Sequence, residues 1–199
     1  ADDVISYISN HPKFKGKQKV IVSSDKDFIQ LLDNETVLLR PIQKKILNKV
    51  NVLEEFGIAP ENFALARAIA GDKSDNLVGV PRAGLKTIAK RLPFMAEPMS
   101  FGLDHLEQYC KENIEGPKFY SSIVENIDLV RNNYKVMNLN PPSISVQGRD
   151  KIDWAIDEFD HSFNLTELKK LSVQNGFASF DWSGLTGLLQ RIVEFHKTT

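Results

Sequence analysis

The stretch "KVIVSSDKDF" at residues 19–28 constrains the fold more than any other. Val20, Ile21 and Val22 form a β-branched run without polar alternation, which reads as a strand buried on both faces of a parallel sheet. Before it, Val4, Ile5 and Ile8 recur at helical spacing. "HPKFKGKQ" then supplies a turn punctuated by Pro12 and Gly16. Helix, turn and buried strand make half of an α/β unit, so a site is expected beyond the strand's C-terminal end. Asp25 and Asp27 stand at that end.

Further along, "DFIQLLD" reads as a short helix and "TVLLRPIQKKILNKV" as one or two strands interrupted near Pro41. "NVLEEFG" has Asn51 as its expected N-cap and Gly57 as its stop. "PENFALARAIAG" follows as a helix with Phe63, Ala66, Ile69 and Ala70 on one side, ended by Gly71. After "GDKSDNLVGVPRAG" comes a basic helix, "LKTIAKRL". Beyond residue 93, "GLDHLEQYCKEN" and "KFYSSIVENIDLVRNNYKVMN" read as helices, "NPPSISVQG" as a loop, and "DEFDHSFNLTELKKLSVQNGF" as two short helices. The expected divisions are residues 1–50, 51–92 and 93–199.

Composition narrows the function classes. A formal net charge of −1 means that a nucleic-acid site must come from local clustering of basic residues rather than from the global charge. One cysteine, Cys110, excludes an intrachain disulfide framework and suits a reducing cytosol. No apolar run approaches the ~20 residues of a bilayer span, so no membrane association is expected. "ADDVISYISN" lacks the basic start and apolar middle of a secretory signal, and with no Met at its start the chain is expected to be the later part of something longer. His11, His105, His161 and His196 sit in polar contexts that offer no Ser-His-Asp or Cys-His arrangement.

The acidic motifs are bland singly. "DKD" is commonly a solvated turn, and the calcium-loop pattern fails because its Gly and terminal Glu are missing from "DKDFIQLLDNE". Together they say more. Asp25 and Asp27 lie at a strand mouth, where a loop can turn both inward, while Asp72 and Asp75 are one turn apart and can point to one place. Such carboxylates persist together when cations compensate them, and oxygen donors without His or Cys select Mg²⁺ or Mn²⁺. Two ions about 3.5–4 Å apart are the common device for hydrolysing phosphodiesters.

Directly after these acids, Gly79 to Arg91 carries Arg82, Lys86, Lys90 and Arg91 and no acid. A glycine-containing hairpin before a helix offers backbone N–H groups to phosphate, and Lys86 and Lys90 share a face. The alternative is a solvated helix. Following a metal-binding turn, the basic stretch favours sequence-independent contact with a nucleic-acid backbone. "KFKGKQK" reads as a solvated loop, and "LRPIQKKILNK" as a hairpin edge protected by lysines.

In this order, "ADD", "SSDKDF", "GDKSDN" and "GVPRAGLKT" resemble the flap endonuclease and 5′-nuclease superfamily, including phage-type ribonuclease H and the 5′-nuclease domain of bacterial DNA polymerase I. The resemblance covers residues 1–92, and the ending "GLTGLLQRIVEF" resembles the phage ribonuclease H branch. It implies an α/β, PIN-like core whose N-terminal part is absent, a helix-hairpin-helix-like DNA-binding element, and a mainly helical C-terminal region. It also implies metal ligation and catalysis by Asp2, Asp25, Asp27, Asp72 and Asp75, with Asp3 as a neighbouring ligand. Duplex contact is implied for Gly79, Val80, Arg82, Gly84, Lys86, Thr87 and Lys90, with K⁺ held by carbonyls at the hairpin. Where family members carry Gly-Ile-Gly, this chain has Arg82, Ala83 and Gly84.

The function so implied is structure-specific 5′ nuclease action in replication or repair with two Mg²⁺ or Mn²⁺ ions. The implied substrates are flaps, branched or nicked duplex DNA, or RNA–DNA hybrids. Replication proteins are implied partners, and the cytoplasm, that of a host if the chain is phage-encoded, is the implied location. A glutamate before Ala1 and the strand-threading arch would lie outside this chain, which is then expected to be a fragment or one half of a split nuclease. The alternative from another class is a non-catalytic duplex-binding module.

Overall fold

The computed structural model describes residues 1–159, 164–177 and 181–198. These fall into two compact units, residues 1–146 and 147–199.

The first unit opens with helix α1, Asp2–Ser9, whose first turn holds Asp2 and Asp3 where they complement the helix dipole. Strand β1, Lys19–Val22, pairs in parallel with β2, Thr36–Arg40, from Lys19↔Thr36 to Val22↔Leu39. Strand β3, Lys45–Leu47, returns antiparallel to β2 with Leu38 opposite Leu47, giving a sheet ordered β1-β2-β3. A parallel pair needs a crossover. Here the crossover contains a 3-10 turn over Asp27–Leu31, which buries Phe28, Ile29, Gln30 and Leu31. Asp33 then ends it by accepting the N–H groups of Glu35 and Thr36 at 2.8 and 2.6 Å.

Helix α2, Lys49–Phe56, is capped by Asn48, whose side chain accepts the N–H of Asn51 at 2.9 Å, and stops at Gly57 in the left-handed region. The expected cap at Asn51 thus lies three residues too late. Both asparagines sit near the boundary, and only Asn48 has extended backbone, as an N-cap requires. Helix α3, Phe63–Ala70, buries Phe63, Ala64, Leu65, Ala66, Ala68 and Ile69, so it is enclosed almost all round rather than on one side. Helix α4 is Leu85–Arg91, α5 Leu103–Glu112, α6 Lys118–Glu125 and α7 Ile127–Met137. The single helical reading of residues 118–138 is therefore two helices broken at Asn126, whose side-chain N–H returns to Ser122 O.

The core joins Ile21, Leu38 and Leu47 of the sheet to Phe63 and Ile69 of α3, Ile88 of α4, Leu106 of α5 and Val130 of α7. Helix α3 packs on both α4 and α7, which makes it the central rod of the unit. Ile21 is 7% exposed, but Val20 and Val22 are 53% and 62% exposed, so β1 is buried on one face only. As an edge strand with no described element over that face, it leaves Val20 and Val22 lining an open apolar cleft with Ile5, Ile8 and Phe14.

In the second unit, α8, Val146–Asp157, begins inside the stretch expected to be a loop. Helix α9, Leu165–Gln174, is capped by Asn164, which accepts from Thr166 and Glu167 N–H, and α10 is Trp182–Thr198. The Lys169 ammonium lies 5.8 Å from the Trp182 ring centroid. Of the two helices expected in "DEFDHSFNLTELKKLSVQNGF", α9 is one. The other falls partly on residues 160–163, which with His161 lie outside the described residues. No helix among the described residues is long and apolar enough to cross a membrane.

Candidate active site

Three segments carry the acids. At the end of β1 the Ser23 hydroxyl accepts the Asp25 N–H at 3.1 Å, and Asp25 Oδ1 accepts the Asp27 N–H at 2.9 Å. This pair of short side-chain turns stops the strand and turns Asp27 inward while Asp25 stays exposed. The second segment is the loop after α3. Asp72 and Leu77 exchange both backbone hydrogen bonds at 2.8 Å, closing a tight loop over residues 72–77 that Asn76 completes at a φ of 56°. Ser74 donates its N–H at 2.8 Å, and its hydroxyl, to Asp72 Oδ1. Asp75 is exposed at the tip. The third segment is the start of α1, where Asp2 is exposed and Asp3 Oδ1 accepts the Ser143 N–H at 2.7 Å.

Arg67 brings the first two segments together. It is the one charged residue of α3, and its guanidinium donates to Asp27 Oδ1 at 3.0 Å and to Asp72 Oδ2. The three side chains are 12–17% exposed, so the pairing is largely shielded from water. Burial pulls the Arg67 guanidinium toward neutrality, but Asp27 and Asp72 outweigh it and hold its proton above the ordinary value. For Asp72, the Ser74 hydroxyl is the largest influence; against burial, it and the Ser74 N–H and Arg67 hold the carboxyl at about 2. Asp27 goes the other way. Burial raises it, Arg67 opposes, and the charges of Asp25 and Asp72 raise it further, so that the net shift is upward.

Burial, with the neighbouring carboxylates, thus outweighs Arg67 at Asp27. The all-oxygen donor set of these carboxylates suits a hard divalent cation. Among the described residues, no group of three or more His, Cys, Asp and Glu is gathered closely enough to hold a metal ion. The segments of Asp27 and Asp72 meet, Asp25 acts on Asp27 through its charge, and Asp75 and Asp2 extend outward. Sequence reading missed Arg67. The signal was available: a single arginine inside the otherwise apolar "FALARAIA" lies close to the core, and a charge partly withdrawn from water there needs a partner.

The basic stretch follows the acid loop directly. Gly71, at a φ of 75°, and Gly79 cross so closely that a Cβ at Gly79 would stand 2.6 Å from Gly71 N, and one at Gly71 2.6 Å from Leu77 O. Arg82 adopts a φ of 64° in a turn closed by the Ala83 N–H donating to Val80 O at 3.1 Å. Arg82, Gly84, Lys86 and Lys90 are exposed and Thr87 is half-buried. Val80 is the exception. Its side chain is 3% exposed in the core and its N–H is held by Ile69 O at 2.8 Å, so it packs the hairpin onto α3 instead of facing a ligand.

No family model matches the chain. Over 87 residues it is 41% identical to the 5′-3′ exonuclease of Buchnera aphidicola subsp. Schizaphis graminum, covering 44% of this chain and 30% of that protein. It is 34% identical over 116 residues to the thermostable DNA polymerase I of Thermus aquaticus, covering 57% of this chain and 14% of that one. The chain therefore spans less than a third of the length of these curated relatives. The bacteriophage T5 flap endonuclease, in a pseudo-enzyme-product complex with DNA and metal ions, matches with a TM-score of 0.62 and 21% identity over 79% of this chain and 58% of that one. The T5 5′-exonuclease with divalent zinc ions bound gives a TM-score of 0.59 and 22% identity over 77% and 56%. The chain is accordingly a homologue, over part of their length, of bacterial 5′-3′ exonucleases and DNA polymerase I, and it has the mixed α/β fold of the phage T5 5′ nuclease.

Proposed function

We propose that this chain carries part of the active site and the duplex grip of a structure-specific 5′ nuclease. It would hydrolyse phosphodiester bonds in flaps, branched or nicked duplexes and RNA-primed DNA during replication or repair. The observation that carries this reading is the convergence of Asp27 and Asp72 on Arg67 at the end of β1, in a chain homologous to 5′-3′ exonucleases. Asp25, Asp27, Asp72 and Asp75, with Asp2 and Asp3 from α1, are the residues that would hold two Mg²⁺ or Mn²⁺ ions. When bound, such ions supply activation of water and stabilisation of the leaving oxygen. Arg67 holds the Asp27 and Asp72 segments together and limits their mutual repulsion.

Residues 1–50 would contribute the strand-end acids and residues 51–92 the acid loop and a helix-hairpin-helix-like grip. Residues 93–199 would form a mainly helical region that docks replication proteins. In the grip, Gly84 has open space where a Cβ would stand and permits close backbone approach, Gly79 shapes the hairpin by crossing the Ala70 and Gly71 backbone, Arg82, Lys86 and Lys90 pair with phosphates, Thr87 adds a hydroxyl, and carbonyls of the hairpin would take K⁺. The place of action is the cytoplasm.

The test is Mg²⁺-dependent cleavage of a 5′-flap and an RNA-primed duplex by the longest natural polypeptide that contains this sequence, with Asp25→Asn as control. Cleavage that disappears in the control supports the reading. A second reading, duplex binding without cleavage, is favoured by the absence of a gathered three-carboxylate group among the described residues. It predicts salt-sensitive DNA binding with no cleavage by the folded polypeptide.

A further inference from the structure

The acid-bearing segments are separated in sequence, and Arg67 joins only two of them. Yet one stretch, the last turns of α7 and the residues after it, touches all three. At its start, Asn133 is 3% exposed, and its amide donates to Ala68 O at 3.0 Å and to Val78 O at 2.8 Å. Ala68 follows Arg67, and Val78 follows Leu77, the backbone partner of Asp72. One side chain thus ties the last turn of α3 to the residue that follows the acid loop.

At its middle the stretch meets Gln30 of the 3-10 turn, which is 8% exposed and uses both ends of its amide. Its nitrogen donates to Asp27 O and to Met137 O, each at 2.9 Å, and its oxygen accepts the Leu139 N–H at 2.8 Å. Leu139 O accepts the Ser6 hydroxyl of α1 at 2.7 Å, and the Ser143 N–H reaches Asp3. Residues 133–143 therefore hold the acid loop, the strand-end acids and the start of α1 from one side.

The cost of burying these amides points to a positional role. A buried polar group without a partner costs about 1–3 kcal/mol, so each amide is tolerated only where it fixes the backbone groups it bonds. Here each amide takes up one carbonyl that the end of a helix leaves over, Ala68 O for Asn133 and Met137 O for Gln30. Of the last-turn carbonyls of α3, Arg67 O accepts the Gly71 N–H and Ile69 O the Val80 N–H, both at 2.8 Å, while Ala68 O receives Asn133.

We propose that residues 133–143, acting through Asn133 and Gln30, are the positioning element of the site and set the distance between the Asp27 and Asp72 segments. This rests on the nuclease reading for its consequence, although the hydrogen bonds themselves do not. Neither residue touches substrate, and both act through the backbone of acid-bearing segments.

The experiment compares Asn133→Ala and Gln30→Met with Leu106→Ala, a core truncation on α5 chosen to match their loss of melting temperature, all in the longest natural polypeptide. The first measurement, amide hydrogen exchange, needs neither metal nor DNA. Exchange at Asp72 and Leu77 should quicken in Asn133→Ala and not in Leu106→Ala. The second is Mn²⁺ binding by calorimetry without DNA, expected to weaken about 10-fold or more in both amide variants. The third is flap cleavage, where kcat should fall while KM for the flap is unchanged. Should Asn133→Ala fail to fold, Asn133→Ser, which keeps one donor, is read the same way. Amide variants indistinguishable from Leu106→Ala in exchange and Mn²⁺ affinity overturn the proposal. Unaltered cleavage by Asp27→Asn and Asp72→Asn would instead overturn the nuclease reading, while the exchange result still decides the positioning role.

Discussion

Replacing Gly79 by alanine adds one methyl group at the crossing of two backbones. Its Cβ would stand 2.6 Å from Gly71 N and nearer still to the Ala70 carbonyl, whereas ordinary contact begins at 3.4 Å. The difference, 3.4 − 2.6, requires a separation of about 0.8 Å at Gly71 and more at Ala70. Both obstacles are backbone, so no side chain can rotate away. The chain leaving the acid loop must move, straining the bond from Val80 N–H to Ile69 O and the mutual pair of Asp72 and Leu77. Overpacking of this kind costs about 1–3 kcal/mol. Displacing a carboxylate segment by about 1 Å can cost about 100-fold in rate when positioning carries the chemistry. Thermal unfolding and single-turnover flap cleavage of Gly79→Ala should therefore show a modest stability loss with a much larger loss of rate. A variant with unchanged melting temperature and unchanged rate would refute the close crossing and the importance of the loop's position together.

Other expectations concern charge and backbone strain. Arg67→Met leaves Asp27 and Asp72 without their shared cation and should cost about 3 kcal/mol, the lower end for a broken buried pair, with part of the loss restored by added Mg²⁺; an unchanged melting temperature without metal contradicts it. Arg82→Gly relieves a left-handed non-glycine residue, so folding should be unaffected or gain up to about 1 kcal/mol, while the salt slope of DNA binding falls by about one. A drop in stability would show that Arg82 is held by contacts rather than strained. At Asp33, burial raises the carboxyl, but hydrogen bonds from Glu35 and Thr36 and the Lys19 charge hold it below the ordinary value. A lowered folded value means that its contribution is present above the unfolded value of about 4 and lost as pH falls through the folded one. Asp33→Asn should accordingly cost about 1 kcal/mol near neutral pH and progressively less below about pH 4, as denaturant titrations at several pH values would record.

Much of the site was legible from short windows. The strand "KVIV", the turn "SSDKD" and the loop "GDKSDN" each depend on residues a few positions apart, and their locations agree with the structure. Where reading failed, the neighbourhood was ambiguous or the answer non-local. Asn48 and Asn51 are both credible caps, and only the backbone of Asn48 decides between them. The burial of β1 on both faces was inferred from composition, but exposure depends on what stands over a strand, and Val20 and Val22 have no described cover.

By itself the sequence determined which chemical groups are present and how each acid is presented. Asp25 and Asp72 organise their own turns through partners two residues away, at Asp27 and Ser74, and glycines at 71 and 79 permit the crossing that shapes the loop. Tertiary structure alone decided which groups meet. Arg67 reaches Asp27 across 40 positions, Asn133 reaches Val78 across 55, and Gln30 receives Leu139 across 109. Such pairs leave no trace in local periodicity, because they form only when burial of the apolar faces of α3 and α7 brings distant polar groups into a place without water. There each must find a partner or pay for lacking one.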